Sequence, residues 1–452
     1  MQIGEKMNYR DYINKDIKCS CGRIHSCHIK DIIIKENAIK ELTAIIEKNN
    51  YKSIYIVADN NTWKAAGKET LKAIEQAARD TDKRREIKIT KYIFKENDLL
   101  ADEVSIAALF INGPKDSDLV IGVGSGTIND MCKLVSEKMK NDYAIVATAP
   151  SMDGFASNVS PLILNHLKTT ITTKIPDYII GDLKILCKAP KHMIAAGAGD
   201  ILGKYVCLTD WKMAHLINDE YYCEDIEKLV GKAIESVVDA IKPHIGDETN
   251  DFLQDKKTIK SIMEGLVLSG IAMSYAGNSR PASGSEHHLS HYWEMMFLFE
   301  GKKPVLHGTK VAIGTVKTIK LYEKLRNKRP DFKMAGEGKH FDKEKWEKEI
   351  KRVYRQAADA VIELEEECGK NSDKEVERRL KALEENWDEA LDIMDTLPSS
   401  EFITDLLKAM DAPYKPKHVG VSKEILKDSL KYAKELRNRY GLLQMMYDLE
   451  EL

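Results

Sequence analysis

What the chain lacks narrows its possibilities first. No run of eighteen or more apolar residues occurs in its 452 residues, so the sequence predicts no membrane-spanning helix. Met1 to Lys15 alternates polar and charged side chains and has no apolar stretch of the kind a secretory leader carries. Eight cysteines in so long a chain make no disulfide framework, and a reduced, cytoplasmic setting is the expectation. Basic charge is not in excess: 69 Lys and Arg stand against 72 Asp and Glu, a formal net charge of -3. That argues against a nucleic-acid binder, though a local basic pocket could still take a phosphate. There is no internal repeat and no low-complexity segment.

What is present has the texture of two domains, as expected for this length. Short apolar runs at Asp31–Lys35, Ser53–Asp59, Ile87–Phe94, Asp118–Gly122 and Tyr143–Thr148 read as strands. Stretches with helical spacing separate them: Ala38–Lys48, a segment ending near Asp80, Ala101–Ile111 and Thr127–Lys140. Asp59, Asn60 and Asn61 suit a turn and a helix cap. Strands alternating with helices imply parallel βαβ units, with ligands at the carboxyl ends of the strands. After about residue 190 the strand-like runs stop. Helical patterns take over at 193–217, 224–242, 258–275, 310–328, 343–368, 374–395 and 423–449. The expectation is an α/β, Rossmann-like dinucleotide-binding domain over 1–188 and an all-α, metal- and substrate-binding domain over 189–452. The charged stretch from Lys339 to Trp387 reads as solvated amphipathic helices.

Two groups of residues could carry chemistry. The segment Val120–Lys133, VIGVGSGTINDMCK, empties an apolar strand into Gly122, Gly124 and Gly126 before a helix. Glycines there would let the backbone approach a pyrophosphate, and the helix start would favour the anion. A plain strand-to-helix turn would look the same, and the third spaced glycine of the usual dinucleotide fingerprint is missing. Asp130 is either a partner for the loop or a first-turn acid. The second group is Asp200 in GAGDILGKY, His287, His288 and His291 in RPASGSEHHLSHYWE, and His307 in VLHGTKVAIG. His287 and His291 are four apart and share one face of a helix. Two imidazoles and a carboxylate leave coordination positions open, the arrangement of a catalytic metal site. Taken singly, Asp200, at the start of a helical run, reads more often as a cap, and His307 more often as a surface or core histidine. Arg280, Lys204 and Lys168 are cations that could meet a phosphate or serve the fold.

Five strings in this order resemble the glycerol-1-phosphate dehydrogenases, particularly their bacterial branch. They are VADNNTW at Val57–Trp63, GVGSGTIND at Gly122–Asp130, TAPSMDGFAS at Thr148–Ser157, GDILGKYVCLTDW at Gly199–Trp211, and RPASGSEHHLSHYWE at Arg280–Glu294. That family shares a superfamily with iron-containing alcohol dehydrogenases, glycerol dehydrogenase and dehydroquinate synthase. The resemblance covers residues 15–325, and no string beyond about 330 contributes. It implies a dehydroquinate synthase-like fold and an NAD- or NADP-linked oxidoreductase interconverting sn-glycerol 1-phosphate and dihydroxyacetone phosphate. It implies one divalent ion per subunit (nickel, zinc or iron) held by Asp200, His287 and His307. Asp153, Asp200 and His291 are then the substrate residues, with His291 and Asp200 catalytic. Gly122, Val123, Gly124, Ser125, Gly126, Thr148, Ala149, Pro150, Ser151 and Ser157 resemble the family's dinucleotide contacts, and Asp59 its acid at the adenosine end. An acid there leans the cofactor toward NAD. A homodimer is implied as well.

Rival readings are a glycerol or polyol dehydrogenase of the same superfamily and an inactive nucleotide-binding regulator. Dehydroquinate synthase fits less well, since that branch typically has Glu where Asp200 stands. Near the start, Cys19, Cys21, His25, Cys27 and His28 crowd into CSCGRIHSCH. The spacing is not that of a standard finger and no second ligand pair follows at the usual distance. The expectation is a β-turn with buried thiols.

Overall fold

The computed structural model describes residues 9–79, 86–96, 98–164, 167–336 and 340–451. Met1–Asn8, the helix end expected at Asp80, the side chain of Lys168 and the expected boundary at Lys339 lie outside the described residues. By packing, the chain divides into two compact units. One comprises Met1–Ile201 with Lys228–Asn278, the other Leu202–Glu227 with Ser279–Leu452. This differs from the 1–188 and 189–452 expectation because the helix Lys256–Ala276 packs on the strands and loops of the first unit. Sequence periodicity sees a helix but not the surface it covers.

In the first unit the strands are β1 (Asp16–Lys18), β2 (Ile24–Ser26), β3 (Asp31–Lys35), β4 (Ser53–Asp59) and β5 (Lys88–Phe94), then β6 (Leu119–Gly124), β7 (Asp142–Ala147), β8 (Val159–Leu164), β9 (Leu167–Thr172) and β10 (Tyr178–Asp182). Six of them form one sheet in the order β3-β10-β7-β6-β4-β5, and every neighbouring pair is parallel. Parallel sheets persist only when both faces are covered. Here Ile54, Ile56, Ala58, Leu119, Ile121, Val123, Ala144, Val146 and Ile180 face one way, onto Leu42, Ile45, Ile46, Ala73, Ile74 and Ala77 of the helices Glu41–Asn49 and Lys68–Arg79. The buried helix Gly126–Met139 packs against β6 and β7. From β4 the chain runs outward to β5 and then crosses back to β6 on β4's other side. This reversal brings the carboxyl ends of β4 and β6 together, where such sheets open a crevice for ligands. β10 and the antiparallel hairpins β1–β2 and β8–β9 are additions to the expected strands. β1 and β2 have only three residues each, and β10 pairs with β3 from far along the sequence, which local pattern cannot foresee.

The helix Lys191–Leu202 meets the loop after β7 at very short range. A Cβ on Gly197 would stand 1.9 Å from the Pro150 carbonyl oxygen, so only glycine permits this approach. The single helical run expected over 193–217 is two helices, Lys191–Leu202 and Lys204–Asn218, separated at Gly203.

Among its described residues the second unit has helices joined by loops and no strand. The helices Ser285–Phe299 and His307–Arg326 cross where Gly314 lets the Glu286 backbone in; a Cβ there would lie 2.5 Å from the Glu286 carbonyl oxygen. The charged region folds as the helices Lys343–Tyr354, Ala358–Cys368 and Asp373–Glu385, whose apolar stripes Trp346, Ile350, Val353, Val361, Val376, Leu380 and Leu383 are buried. A buried polar knot ties the last helices together. Glu435 accepts from Lys434 Nζ at 2.5 Å, from Asn371 Nδ2 at 3.1 and 3.2 Å and from Trp346 Nε1 at 3.3 Å, with Lys370 Nζ 3.1 Å away. Arg379 grips Asp448 with two bonds of 2.6 and 2.9 Å. Burial by itself would raise the Glu435 pKa, but Lys434 and Lys370 overcome it and hold the carboxyl down at about 2.

Two outcomes are expected. Gly197→Ala must displace backbone rather than a flexible side chain, and should cost about 1–3 kcal/mol as an overpacked contact, read by urea denaturation. A carboxyl depressed in the folded state stabilises fully above its unfolded value of 4.5 and loses that contribution as pH falls toward about 2. Denaturation midpoints should therefore drop across that window. Glu435→Gln should flatten the drop while costing about 3–5 kcal/mol at neutral pH, since it strands two buried lysines. An unchanged acid slope would mean that Glu435 does not carry it.

Candidate active site

The carboxyl edge of the first unit's sheet gathers the expected dinucleotide residues. β6 runs out at Gly124, Ser125 makes the turn, and the helix opens at Gly126, where the first N–H groups have no acceptor within the helix. The loop after β7 is tied to this turn. Thr148 N donates to the Gly124 oxygen at 2.9 Å, and Ser125 Oγ lies 3.1 Å from the Ala149 oxygen and 2.6 Å from Ser151 Oγ. Gly122, Val123, Gly124, Ser125, Gly126, Thr148, Ala149, Pro150 and Ser151 are thus one contiguous edge. At two of the glycines the protein's own packing also leaves no room for a side chain. A Cβ on Gly122 would strike the Tyr143 hydroxyl at 2.8 Å, and one on Gly124 would strike Ile128 at 2.6 Å. These two positions are small because the protein's own side chains fill the space.

Asp59 ends β4 and caps the helix that follows, as its sequence context suggests. Its Oδ1 accepts from Asn61 N at 2.7 Å and Thr62 N at 2.9 Å, and Thr62 Oγ1 accepts from Asp59 N at 3.0 Å. The reciprocal pair is a capping box. Ser157 is 2 % exposed and turned inward. Its hydroxyl donates to the Val159 oxygen at 3.1 Å and accepts from Lys133 Nζ at 3.3 Å. Lys133 is a residue the sequence reading passed over. It is fully buried, pairs with Asp130 at 3.1 Å, and also donates to the oxygens of Gly154 at 3.3 Å and Val159 at 2.5 Å. Burial lowers its pKa, opposed by Asp130 and Asp153. The available signal was a lysine in an apolar helix three residues after an aspartate. Asp130 is therefore part of the knot that shapes the 154–159 loop.

Asp153 and Asp200 come together. Asp153 N donates to Asp200 Oδ2 at 3.1 Å, and Ser269 Oγ donates to Asp153 Oδ2 at 2.8 Å. Asp200 has no exposed surface, and it sits in the last turn of Lys191–Leu202 rather than at a helix start. The capping alternative for Asp200 is thereby removed.

In the second unit three imidazoles converge. His287 and His291 lie one turn apart on Ser285–Phe299, and His307 opens His307–Arg326. Ring centroids are 5.8 Å apart for His287–His291, 5.1 Å for His287–His307 and 5.7 Å for His291–His307. A ring nitrogen of His287 and one of His307 are within 4.8 Å, close enough to share an ion. His287 Nδ1 is 2.5 Å from Glu286 Oε1, which also accepts from Gly284 N at 2.9 Å. A buried carboxylate beside Nδ1 keeps the proton there and leaves Nε2 to bind metal. The start of this helix is anchored on buried Asp210, which accepts from Ser285 N and Oγ, both at 2.7 Å, from Leu442 N at 3.0 Å and from the Tyr322 hydroxyl. Burial first, then neighbouring Glu286, raises the Asp210 pKa.

His288 points elsewhere. Burial, reinforced by Arg439, Arg280, Lys370 and Arg437, pushes its pKa well below the usual histidine value. Arg280 is engaged in the fold: it is 2 % exposed, holds Glu220 with bonds of 2.6 and 2.5 Å, and reaches the Tyr440 oxygen at 2.9 Å. Buried Lys204 donates to the Ala282 oxygen at 3.0 Å. Both cations are engaged by groups of the protein itself.

If Glu286 orients His287, Glu286→Gln should weaken binding of a divalent ion to the metal-stripped protein about 10- to 100-fold. Isothermal titration calorimetry reads this directly, and an unchanged constant would remove Glu286 from that role.

Residues 33–190 match the family model described as iron-containing alcohol dehydrogenase. A glycerol-1-phosphate dehydrogenase [NAD(P)+] from Geobacillus stearothermophilus is 34% identical over 444 residues, covering 96% of each chain. A second, from Geobacillus thermodenitrificans, is 33% identical over 430 residues, covering 94% of each. The similarity therefore extends well past residue 330, where no string was recognisable. Among solved structures, a sulfoacetaldehyde reductase from Bifidobacterium kashiwanohense in complex with NAD+ superposes with a TM-score of 0.58 at 13% identity, over 94% of this chain and 97% of that one. This establishes the shared fold, an N-terminal α/β domain with a parallel sheet and a helical C-terminal domain. On the strength of relatives that match it nearly end to end, the chain belongs to the glycerol-1-phosphate dehydrogenase family.

Proposed function

We propose that this protein is a metal-dependent, NAD(P)-linked oxidoreductase that interconverts sn-glycerol 1-phosphate and dihydroxyacetone phosphate. The observation that carries the reading is the imidazole trio of the second unit, with the His287 tautomer held by Glu286, in a chain whose family members bear that activity in their names.

Asp200, His287 and His307 are the proposed metal ligands. The donor set of one carboxylate and two imidazoles suits nickel, zinc or iron and leaves positions open for substrate. A divalent ion held there supplies Lewis acidity toward the C2 oxygen of the substrate. His291, half-buried beside His287 and His307, is the proposed group that hydrogen-bonds the C2 oxygen and moves its proton. Asp153, whose carboxylate is steadied by Ser269, is the proposed partner of a substrate hydroxyl. The N–H groups at Ser125 and Gly126, with Thr148 and Ser151, would hold the dinucleotide phosphates at the helix start. Asp59 has its Oδ1 committed to its cap, and its position at the end of β4 suits a ribose contact. A homodimer and a cytoplasmic location complete the proposal. Among the described residues no helix is long and apolar enough to cross a membrane.

The deciding assay follows NADH oxidation with dihydroxyacetone phosphate, after metal is stripped and nickel, zinc or iron is returned. Metal-restored turnover giving the sn-1 product is expected. His307→Ala should lower kcat/KM by at least about a hundredfold, the scale at which loss of transition-state charge stabilisation is felt. Turnover of dihydroxyacetone alone would make the protein a polyol dehydrogenase. Silence with every metal would favour a nucleotide-binding regulator.

A further inference from the structure

The N-terminal CSCGRIHSCH segment folds as a β-hairpin in which Cys27 is buried, as expected, while Cys19 and Cys21 are half-buried at the turn. β1 and β2 pair antiparallel, with Ile17 opposite His25 and Lys18 opposite Ile24. The loop joining them is a tight turn: Gly22 N donates to the Cys19 oxygen at 3.1 Å, Cys19 N donates to the Arg23 oxygen at 3.1 Å, and Gly22 takes φ +83°. The turn folds Cys19 and Cys21 back over the strand that carries His25. The two sulfurs and a ring nitrogen of His25 all lie within 4.8 Å of one another, and Cys21 Sγ is 3.4 Å from His25 Nε2. Cys27 and His28 take other directions, Cys27 fully buried and His28 exposed.

From these three donors we infer that Cys19, Cys21 and His25 bind a zinc ion that closes the turn of the β1–β2 hairpin onto its second strand. The donor spacing suits the ion. With Zn–S near 2.3 Å and Zn–N near 2.0–2.1 Å, tetrahedral geometry sets neighbouring sulfur and nitrogen ligands about 3.6 Å apart, against the 3.4 Å seen here.

The surroundings prepare each donor. His25 Nδ1 lies 3.0 Å from the Tyr275 carbonyl oxygen, which can only accept, so Nδ1 carries the proton and Nε2 presents its lone pair toward Cys21. The ring is held by stacking on Tyr275 at 5.4 Å between centroids, and it is only 2 % exposed. Cys21 N donates to Cys19 Sγ at 3.5 Å, a bond that favours the thiolate. The Tyr275 hydroxyl donates to the Tyr12 oxygen at 2.6 Å, so the anchor of the hairpin lies at the end of the helix Lys256–Ala276. Two thiols lose their protons on binding, and a solvent molecule or one further donor takes the fourth position. Soft thiolates with an imidazole select zinc among the abundant divalent ions. None of the eight cysteines is in a disulfide, so the sulfurs are in the oxidation state a metal needs.

The site can be tested apart from the catalytic reading, because the proposed catalytic donors include no sulfur. Full-length protein purified without chelator and its Cys19→Ser/Cys21→Ser variant are compared by plasma mass spectrometry. Both are then reconstituted with cobalt(II) alone. The wild type should hold one zinc ion per chain more than the variant, and its cobalt form should show a thiolate-to-cobalt charge-transfer band that the variant lacks. Equal zinc content, or a cobalt spectrum of the wild type with no thiolate band, would overturn the site. If the double variant does not fold, the wild-type cobalt spectrum decides alone: a band at one equivalent supports the site, and its absence rejects it.

Discussion

The first unit's candidate site depends on one close approach, a helix laid directly on a loop. Lys191–Leu202 reaches the segment after β7 because position 197 has no side chain to hold it off the Pro150 carbonyl. That contact sets the depth at which Asp200 is buried and lets Asp153 N bond its carboxylate. A second helix repeats the device, since a Cβ on Gly270 would stand 2.7 Å from that of Ala156. The loop from Thr148 to Ser157 is therefore clamped by two helices and cross-braced from within by Lys133. Such rigidity is what a site needs if its groups are to stay aligned through a reaction.

The second unit solves a related problem with buried charge. An imidazole ligand must present one chosen nitrogen in one direction. Glu286 at His287 Nδ1 sets the tautomer, and Asp210 fixes the turn of helix from which His287 projects. Burying two carboxylates this close raises the energy of both charges, and the raised pKa of Asp210 records it. The cost is tolerable because Asp210 collects four donors and Glu286 faces an imidazole that a bound cation would polarise.

The two donor sets differ in chemical character. Nitrogen and oxygen ligands with open positions suit an ion that must exchange substrate, while two thiolates and an imidazole suit an ion that stays. In the N-terminal hairpin the same physics appears in miniature, with a backbone carbonyl doing for His25 what Glu286 does for His287.

Much of the site was legible in local sequence because its groups sit where periodicity changes. The strand-to-helix passage at Gly122–Gly126, the cap at Asp59 and the i, i+4 pair His287–His291 each follow from spacing alone. Strand pairing across distance was not legible: β10 beside β3, and the two hairpins, depend on surfaces that meet only after folding. Nor was the placement of the helix Lys256–Ala276 with the α/β unit. Asp200 read as a helix-start residue because sequence marks where helical composition begins, not where the chain turns at Gly203. The sequence by itself determined the residue types and the order of elements, since periodicity and turn chemistry act over a few neighbours. Only the tertiary structure decided which groups share a neighbourhood. Lys133 with Ser157, Ser269 with Asp153, and Cys21 with His25 beside Tyr275 are contacts set by packing, and packing joins residues without regard to their separation along the chain.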